Sequence, residues 1–270
     1  MSKNNIFFSI IIPSHNEGGC IATTCKAIIS RFALENITDY EILVVNDNSN
    51  DHTERILKEL CVKYPVMRYV NNTAPRGFGF AVRKGLEEFY GDTIVVVMAD
   101  LSDSPDDILA YYRELKKGAE CVFGSRFIKG AHIHGYPVHK YVLNRMANFF
   151  IKLLFTLDHN DITNAFKAYR REVIDGMQPL LSYHFNLTVE MPLKAIVRGY
   201  NYVTIPISWT NRSVGVSKLK IKEMGSRYLF IVLYVWLEKS LSRGDYMRKT
   251  RSMKKTNPDV CPPSGRPTCR

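Results

Sequence analysis

The chain has 270 residues, of which 46% are hydrophobic and 23% are charged, a balance that is typical of a globular protein and excludes wholesale disorder. Its formal net charge is +11, and the segment 239–270 alone carries nine Lys or Arg against two Asp. Because an apolar stretch precedes this basic segment, the charge favours contact with an anionic membrane surface over contact with nucleic acid.

The six cysteines form no CxxC pair and no Cys/His cluster with zinc spacing, which is typical of a reducing cytosol. The N-terminal residues run directly into an apolar strand and lack the pattern of a signal peptide. The longest uncharged apolar run, 228–237, is about half as long as a membrane-spanning helix requires. We therefore expect a cytoplasmic protein without a spanning helix.

Strand and helix patterns alternate through the first half of the chain. Apolar, β-branched runs predict strands at 7–13, 41–45, 67–71, 93–98 and 121–124. Helical patterns lie near 17–31, 52–64, 77–90 and 105–117. In the last of these, Ser104 is a suitable cap and Pro105 suits the first turn. The alternation predicts an α/β fold with a doubly wound, mainly parallel sheet flanked by helices.

The pattern changes in the second half. An apolar helix is predicted at about 138–157, and its periodicity fits either a core helix or an amphipathic helix at a membrane interface. A helix near 186–198, a strand at 202–209 and a last helix that starts near Ser217 follow. We divide the chain into a catalytic domain, 1–220, an apolar or amphipathic helix, 221–241, and a basic, disordered tail, 242–270.

Two predicted strands stop abruptly at a carboxylate. One ends in Val-Val-Asn-Asp, with Asp47, and the other in Val-Val-Val-Met-Ala-Asp, with Asp100. In an open parallel sheet, ligands bind at the carboxyl ends of the strands, so both carboxylates should face one crevice. A carboxylate there can bind a ribose or base, or a divalent cation that bridges a diphosphate. We interpret this edge of the sheet as a nucleotide-diphosphate site.

Six segments carry motifs with a familiar order and spacing; they are 12–17, 46–53, 76–81, 124–126, 161–170 and 212–218. Together with Met98–Asp100 they resemble the family 2 glycosyltransferases of the GT-A fold. Within that family the chain most resembles the branch that contains dolichol-phosphate mannose synthases and other polyprenyl-phosphate glycosyltransferases. The resemblance extends from about Phe7 to Lys220, and it implies the GT-A fold, with a mixed, mainly parallel sheet flanked by helices and a C-terminal amphipathic helix.

The resemblance also implies which residues bind the nucleotide: Pro13, His15, Glu17, Asp47, Gly79, Asp100 and Ser217. Considered alone, Glu17 would be interpreted as a first-turn acid that complements a helix dipole. Gly79 would equally suit a close contact between a helix and the sheet. In the same region we interpret Asp51 and Thr53 as capping and turn residues.

Residues 98–100 occupy the position of the family's Asp-x-Asp metal motif, with Met98 in place of the first acid. A thioether does not bind a hard cation, so the resemblance leaves Asp100 as the main ligand, with Ser102 and Asp103 as further oxygen donors. It implies a divalent cation, Mg²⁺ or Mn²⁺, as the cofactor. Water and the diphosphate would complete its coordination shell.

The residues implied in catalysis are Asp100, Arg126, Asp161, Glu190, Arg212 and Lys218. Arg126 offers a planar donor fork that suits phosphate. Arg212 and Lys218 belong to an Arg-x-x-Gly-x-Ser-Lys loop that can close over a diphosphate and neutralise the charge of the leaving group. If the acceptor is a hydroxyl, Asp161 or Glu190 would be the base, whereas a phosphate acceptor needs none.

The implied activity is an inverting transfer of a sugar from a GDP- or UDP-linked donor to a polyprenyl phosphate. We expect the protein to contact the cytoplasmic face of a membrane peripherally, through its interfacial helices and basic tail. Two alternatives stay open: transfer to a saccharide or another hydroxyl, and a catalytically silent scaffold that binds nucleotide sugar. The scaffold stays an alternative because Asn46 and Met98 replace acids of the family motifs.

Overall fold

The computed structural model describes residues 6–211 and 221–248, with side chains of the second segment from residue 225. Arg212, Ser217, Lys218 and residues 249–270 of the predicted tail lie outside the described residues. The strands are β1 Phe8–Ser14, β2 Tyr40–Asn46, β3 Met67–Asn71, β4 Thr93–Val96, β5 Cys121–Ser125, β6 His132–His134, β7 Lys167–Arg170, β8 Tyr202–Pro206 and β9 Ser208–Thr210. The helices are α1 Ile21–Leu34, α2 Thr53–Lys63, α3 Phe78–Glu88, α4 Pro105–Lys116, α5 Val138–Phe155, α6 Arg171–Gly176, α7 Leu187–Val197 and α8 Ile221–Leu241.

Seven strands form one sheet in the order β3-β2-β1-β4-β7-β5-β8. All neighbours in it are parallel except β7, which runs antiparallel to both β4 and β5. The predicted mainly parallel sheet is confirmed. Strands β6 and β7 were not predicted, because each is only three or four residues long and carries no apolar run. The predicted strand 202–209 is divided between β8, which joins the large sheet, and β9, which pairs with β6.

The central strands are buried on both faces, as a sheet covered by helices on both sides requires. Ile10 and Ile12 of β1 pack on one side with Ile28 of α1, and Ile11 packs on the other side with Val82 of α3. The predicted cap of α4 is present, since the Ser104 hydroxyl accepts the backbone N–H of Asp106 at 3.2 Å. Because β1, β2 and β4 are parallel, their carboxyl ends lie at one edge of the sheet, where the helices that follow them begin.

A third core lies beside the sheet, where α5, α7 and α8 meet. Here α5 buries only Asn148, Ile151 and Phe155. Exposed apolar side chains lie on the outer side of α5 and on α8, and we call them together the apolar face: Val138, Val142, Met146, Phe149 and Leu153 with Leu229, Phe230, Leu233 and Leu237. Phe149 and Leu153 are 68% and 71% exposed, so a core helix is the wrong interpretation of the outer side of α5. Among the described helices, none has the length and apolar character needed to cross a bilayer.

The packed part of the chain continues past α8. The backbone N–H of Arg248 donates to the carbonyl of Arg198 at 2.9 Å, and its guanidinium pairs with Glu120. A buried ion pair at 2.8 Å joins Arg198 to Glu238 of α8. Residues 242–248, the start of the predicted tail, are therefore ordered against α7.

Candidate active site

A cavity of about 970 Å³ begins at the carboxyl ends of β1, β2 and β4 and extends to the space between α5 and α8. We call its polar part the strand-end half: Pro13, Ser14, His15, Glu17, Asp47, Arg76, Gly77, Met98, Asp100, Ser102 and Asp103. We call the rest the helix half: Phe78, Ala81, Arg126, Tyr136, Pro137, Lys140, Leu143, Asn144, Ala147, Phe150, Ile151, Thr163, Asn164, Ala165, His184, Phe185, Thr188, Trp209, Asn211, Gly225, Arg227, Tyr228, Leu229 and Val232. One cavity thus joins a polar site to a second part that is lined by apolar and aromatic side chains as well as by polar ones.

Asp47 organises the floor of the strand-end half. Its side chain is 4% exposed, and its two oxygens accept the Asn72 side-chain amide at 2.7 Å and the Gly77 backbone N–H at 2.9 Å. The carbonyl of Asp47 lies 2.7 Å from Nδ1 of His15. The carboxylate therefore fixes the loop before α3 and the imidazole on the cavity wall. The structure brings Pro13, His15, Glu17 and Asp47 together there, as the sequence predicts.

Asp51 and Thr53 have the structural roles that we expected. One carboxylate oxygen of Asp51 accepts the backbone N–H of Thr53 at 2.9 Å, and the other accepts the N–H of Gly18 at 3.1 Å. The Thr53 hydroxyl is buried and accepts the N–H of Glu17 at 3.0 Å. Together these bonds tie the start of α2 to the loop that carries Glu17.

Gly79 does not line the cavity, although its motif predicts a nucleotide contact. A Cβ at this position would lie 2.3 Å from the carbonyl carbon of Tyr183, far inside a van der Waals contact. The glycine therefore lets α3 approach the backbone of the loop at 181–186. Within the same motif it is Gly77 that lies on the cavity wall.

The three predicted metal ligands, Asp100, Ser102 and Asp103, line the strand-end half with Met98. One oxygen of Asp100 accepts the backbone N–H of Ser102 at 3.1 Å, and one oxygen of Asp103 accepts that of Met98 at 3.0 Å. Burial raises the pKa of Asp103 to about 7, and the nearby Asp100 adds to the rise although the Met98 bond opposes it. Hard oxygen donors of this kind fit Mg²⁺ or Mn²⁺.

The described residues contain no cluster of three His, Cys, Asp or Glu that would hold a metal by itself. A cation beside Asp100 would therefore need further oxygen donors from a phosphate group bound in the cavity and from water, as Mg²⁺ commonly does at phosphate sites.

Arg126 reaches the cavity from the end of β5 and is held there by Asp161. Its Nε and Nη2 donate to the two Asp161 oxygens at 2.8 and 2.7 Å, and its backbone N–H donates to the same carboxylate at 3.0 Å. Burial alone would raise the pKa of Asp161, but the guanidinium outweighs it and holds that pKa below its usual value. Asp161 is fully buried and does not line the cavity, so its position supports Arg126 and does not suit a base.

Glu190 lies inside α7, away from the cavity. Its two oxygens accept the backbone N–H groups of Leu181 and Ser182, both at 2.7 Å, and Lys194 pairs with it at 2.8 Å. The side chain is completely buried. Glu190 therefore anchors the loop at 181–186. Neither of the two predicted bases, Asp161 and Glu190, lines the cavity.

The sequence analysis missed the polar stripe on the inner side of α5. Lys140, Asn144 and Asn148 are spaced by four residues, which places them on one side of a helix. Lys140 and Asn144 line the helix half, and Asn148 is buried behind them, bonded to Thr163. The four-residue spacing of these polar residues in an otherwise apolar helix is the sequence signal that could have predicted the stripe.

The comparisons with known proteins agree with this geometry. A sequence profile of glycosyl transferase family 2 matches residues 9–177. The chain belongs to glycosyl transferase family 2. The predicted family and enzyme class, a glycosyltransferase, are thereby confirmed.

Two curated relatives are similar over most of the chain. A dolichol-phosphate mannosyltransferase from Pyrococcus furiosus is 33% identical over 218 residues, which cover 79% of this chain and 59% of the relative. A polyprenol monophosphomannose synthase from Mycolicibacterium smegmatis is 30% identical over 216 residues, which cover 78% of this chain and 80% of the relative. The chain thus spans about three fifths of the Pyrococcus protein.

Solved structures confirm the predicted GT-A fold. The glucosyl-3-phosphoglycerate synthase of Mycobacterium tuberculosis, crystallised with Mn²⁺, UDP and glucosyl-3-phosphoglycerate, superimposes with a TM-score of 0.62. The match covers 88% of this chain and 81% of the synthase at 16% identity. That neighbour binds a divalent cation and a nucleotide on the same fold.

Proposed function

We propose that this glycosyltransferase moves a sugar from a nucleotide diphosphate to a polyprenyl phosphate, with inversion at the anomeric carbon. The observation that carries the proposal is the composition of the cavity. Its strand-end half suits a nucleotide diphosphate, and its helix half includes apolar and aromatic side chains of α5 and α8, the two helices that also carry the apolar face. An isoprenoid chain can bury its surface against such side chains, which a soluble sugar acceptor does not need.

The helix half also contains cations, as a phosphate acceptor requires. Arg126 and Lys140 line it, and the Asp161 ion pair keeps the Arg126 guanidinium in place. Charge-assisted hydrogen bonds from such groups are strong and suit phosphate oxygens. The names of the two curated relatives, which specify dolichol phosphate and a polyprenol, support the same acceptor class.

The carboxylates of the cavity favour a phosphate acceptor over a hydroxyl. Among the described lining residues they are Glu17, Asp47, Asp100 and Asp103, all in the strand-end half. A hydroxyl acceptor needs a general base within hydrogen-bond reach, but a phosphate is already anionic near neutral pH. Asp161 and Glu190 are buried away from the cavity, so among the described residues no carboxylate of the helix half can act as that base.

The transfer is a single displacement. A phosphate oxygen of the acceptor attacks the anomeric carbon, the bond from that carbon to the donor diphosphate breaks, and the nucleoside diphosphate leaves with the electron pair. Arg126 orients the attacking phosphate, and Asp47 and Glu17 bind the nucleoside. Arg212 and Lys218 keep their predicted role at the leaving diphosphate.

Asp100, Ser102 and Asp103 would hold a divalent cation, Mg²⁺ or Mn²⁺. When bound, that cation would neutralise negative charge on the diphosphate. The donor is either GDP- or UDP-linked, since both carry the diphosphate that this site suits.

The protein would act at the cytoplasmic face of a membrane, in peripheral contact with it. The apolar face would rest in the interface, and the mouth of the helix half beside it would admit the lipid. An exposed apolar helix surface together with a basic segment supplies the two signals that stable peripheral binding needs. Residues 239–270, with nine Lys or Arg, supply the second.

The experiment is transfer from a panel of GDP- and UDP-sugars to polyprenyl phosphate in anionic vesicles, followed by organic extraction, with and without EDTA. We expect one donor to yield an extractable sugar phospholipid of inverted anomeric configuration, and EDTA to abolish its formation. Product from a saccharide acceptor and none from the lipid phosphate would establish the hydroxyl alternative. Tight nucleotide binding without any product would instead establish the silent scaffold.

A further inference from the structure

We infer that the hydroxyl of Thr163 is a fixed hydrogen-bond donor that recognises an anionic oxygen of the acceptor. The inference rests on the proposed function, because it places the acceptor phosphate in the helix half of the cavity. Its basis is a chain of hydrogen bonds between α5 and the loop before β7. The donor and acceptor in each bond can be assigned in turn.

The chain starts at the backbone N–H of Thr163, which lies 3.1 Å from Oδ1 of Asn148. A backbone N–H can only donate, so the Asn148 atom that faces it must be the amide oxygen. Side-chain amides are often ambiguous in orientation, but this contact fixes that of Asn148. The amide nitrogen therefore points the other way, toward the side chains of Asn144 and Thr163.

The next two bonds follow from that orientation. Nδ2 of Asn148 lies 2.9 Å from Oγ1 of Thr163, 2.9 Å from Oδ1 of Asn144 and 3.0 Å from the backbone carbonyl of Asn144. Since an amide nitrogen only donates, all three oxygens accept; one hydrogen goes to Thr163 and the other is shared between the two Asn144 oxygens. With its oxygen so assigned, Asn144 presents its own nitrogen to Thr163 Oγ1 at 2.8 Å. The Thr163 oxygen thus accepts two hydrogen bonds, one from each asparagine.

A threonine hydroxyl has two lone pairs and one hydrogen. Both lone pairs of Thr163 are used, so its only remaining capacity is to donate. Within residues 6–211 and 221–248, no group accepts a hydrogen bond from this hydroxyl, and Thr163 is half-buried on the cavity wall. The hydrogen is therefore offered to whatever occupies the helix half. An anionic oxygen makes the strongest use of it, because charge-assisted bonds are about twice as strong as neutral ones.

The loop that carries Thr163 is also held from the protein interior. The Lys167 ammonium is completely buried and donates to the backbone carbonyls of Ile162, at 2.8 Å, and of Asn164. Both neighbours of Thr163 are thus fixed by one side chain while Asn148 fixes Thr163 itself. A donor held in this way loses little entropy when the ligand binds.

The first test is binding of farnesyl phosphate and of farnesol, measured by calorimetry, and transfer to polyprenyl phosphate. Thr163→Val removes the hydroxyl while keeping the shape of the side chain. We expect it to weaken farnesyl phosphate binding about tenfold or more, as the loss of a bond to a charged group predicts. Farnesol binding and nucleotide affinity should change little. Thr163→Ser, which keeps the donor, should retain phosphate binding.

A second variant tests the assigned directions of these hydrogen bonds while the Thr163 hydroxyl is kept. In Asn148→Asp the carboxylate still accepts the Thr163 N–H, but it no longer donates to Oγ1. The hydroxyl can then donate to the new carboxylate and turn away from the cavity. We expect Asn148→Asp to reproduce the acceptor defect, to raise KM for the lipid without lowering kcat in proportion, and to add little to Thr163→Val in the double variant.

The outcomes separate this inference from the proposed function. If the wild type binds farnesyl phosphate and Thr163→Val binds it equally well, the role of Thr163 is disproved and the proposed function stands. If the wild type does not prefer farnesyl phosphate to farnesol and forms no sugar phospholipid, both fail. A weakened Thr163→Val with a rescued Thr163→Ser supports both, whether or not Asn148→Asp folds.

Discussion

The two halves of the cavity are built in different ways. In the strand-end half, main-chain pairing of β1, β2 and β4 brings Pro13, Asp47 and Asp100 to one edge of the sheet. In the helix half, buried polar side chains hold the walls; they include Asn148, Asp161, Lys167 and Glu190. A substitution at a half-exposed residue of the first half, such as Asp100, should therefore change chemistry while the fold persists. In the second half it should change stability as well.

The largest effect is expected at Asp100, on the strand-end side. Because Asp100 is half-exposed, Asp100→Asn should leave the free energy of unfolding within about 0.5 kcal/mol. It should lower the rate of sugar transfer about 1,000-fold through lost charge stabilisation at the diphosphate. Transfer assays and calorimetry of nucleotide binding with and without Mn²⁺ measure the effect. The matched control is Asp106→Asn in the exposed first turn of α4, and an Asp100→Asn enzyme of full activity would refute the metal assignment.

The opposite result is expected at Asp161, on the helix side. Asp161→Asn leaves the buried Arg126 guanidinium without its charge partner, which should lower the free energy of unfolding by about 3 kcal/mol. Urea denaturation measures this loss. Glu35→Gln is the control, because Glu35 pairs with Arg31 and Arg113 at the surface and its loss should hardly move the midpoint. Equal midpoints for the two variants would show that Asp161 does not support the helix half.

A third prediction concerns His159, which packs on Phe123 and Tyr202 below the helix half. Burial, with the nearby Lys167 charge, lowers its pKa from 6.5 to about 4. Between pH 6.5 and 4 the unfolded chain binds a proton that the folded chain excludes, so stability falls as the pH falls. At pH 4 this imidazole should lower the free energy of unfolding by about 3 kcal/mol, in addition to any change caused by other titrating groups.

His159→Gln should remove that part of the pH dependence, measured by urea denaturation from pH 7 to pH 4. Replacement of the exposed His139 by Gln serves as the control and should keep the wild-type slope. Parallel slopes for wild type and His159→Gln would mean that the buried imidazole does not stay neutral.

The smallest effect is expected on the apolar face. The double variant Phe149→Ser with Leu153→Ser should bind anionic vesicles about tenfold more weakly, since less apolar surface enters the interface. Transfer to a short, water-soluble isoprenyl phosphate should stay at the wild-type rate. Leu34→Ser with Val62→Ser is the control, as these side chains are 78% and 89% exposed outside the apolar face. Vesicle sedimentation distinguishes the pairs, and equal binding would exclude the apolar face as the contact.

The strand-end half could be predicted from the sequence because its geometry follows from local patterns. A β-branched run that ends at a carboxylate places Asp47 and Asp100 at the same edge of a parallel sheet, wherever the rest of the chain lies. The same local reasoning predicted a nucleotide contact for Gly79, which does not line the cavity. Glycine serves both a ligand contact and a close backbone contact, and only the position of Tyr183 decides between them.

The helix half could not be predicted to the same degree, since its contacts join distant parts of the chain. The predicted Asp161 turned out to support Arg126 because burial and charge pairing are properties of the assembled core. The pairing of Asn148 with Thr163 depends on how α5 docks, and helical periodicity left that docking open. The β6–β9 pair places the ring centroids of Tyr136 and Trp209 4.8 Å apart, and no local pattern indicates that the predicted strand 202–209 divides or that β6 pairs with its second part.

Strand β7 enters the sheet in the reverse direction, so its beginning, and not its end, meets the ligand edge. The segment 161–166 before it therefore reaches the same place as Asp100 after β4. Since β5 and β7 are neighbours, the stretch 126–166 leaves the sheet and returns to it at adjacent positions, and it carries α5 with half of the residues that line the helix half. Because both ends of the stretch lie side by side in the sheet, it could be exchanged between family members as one unit while the seven-stranded sheet stays intact.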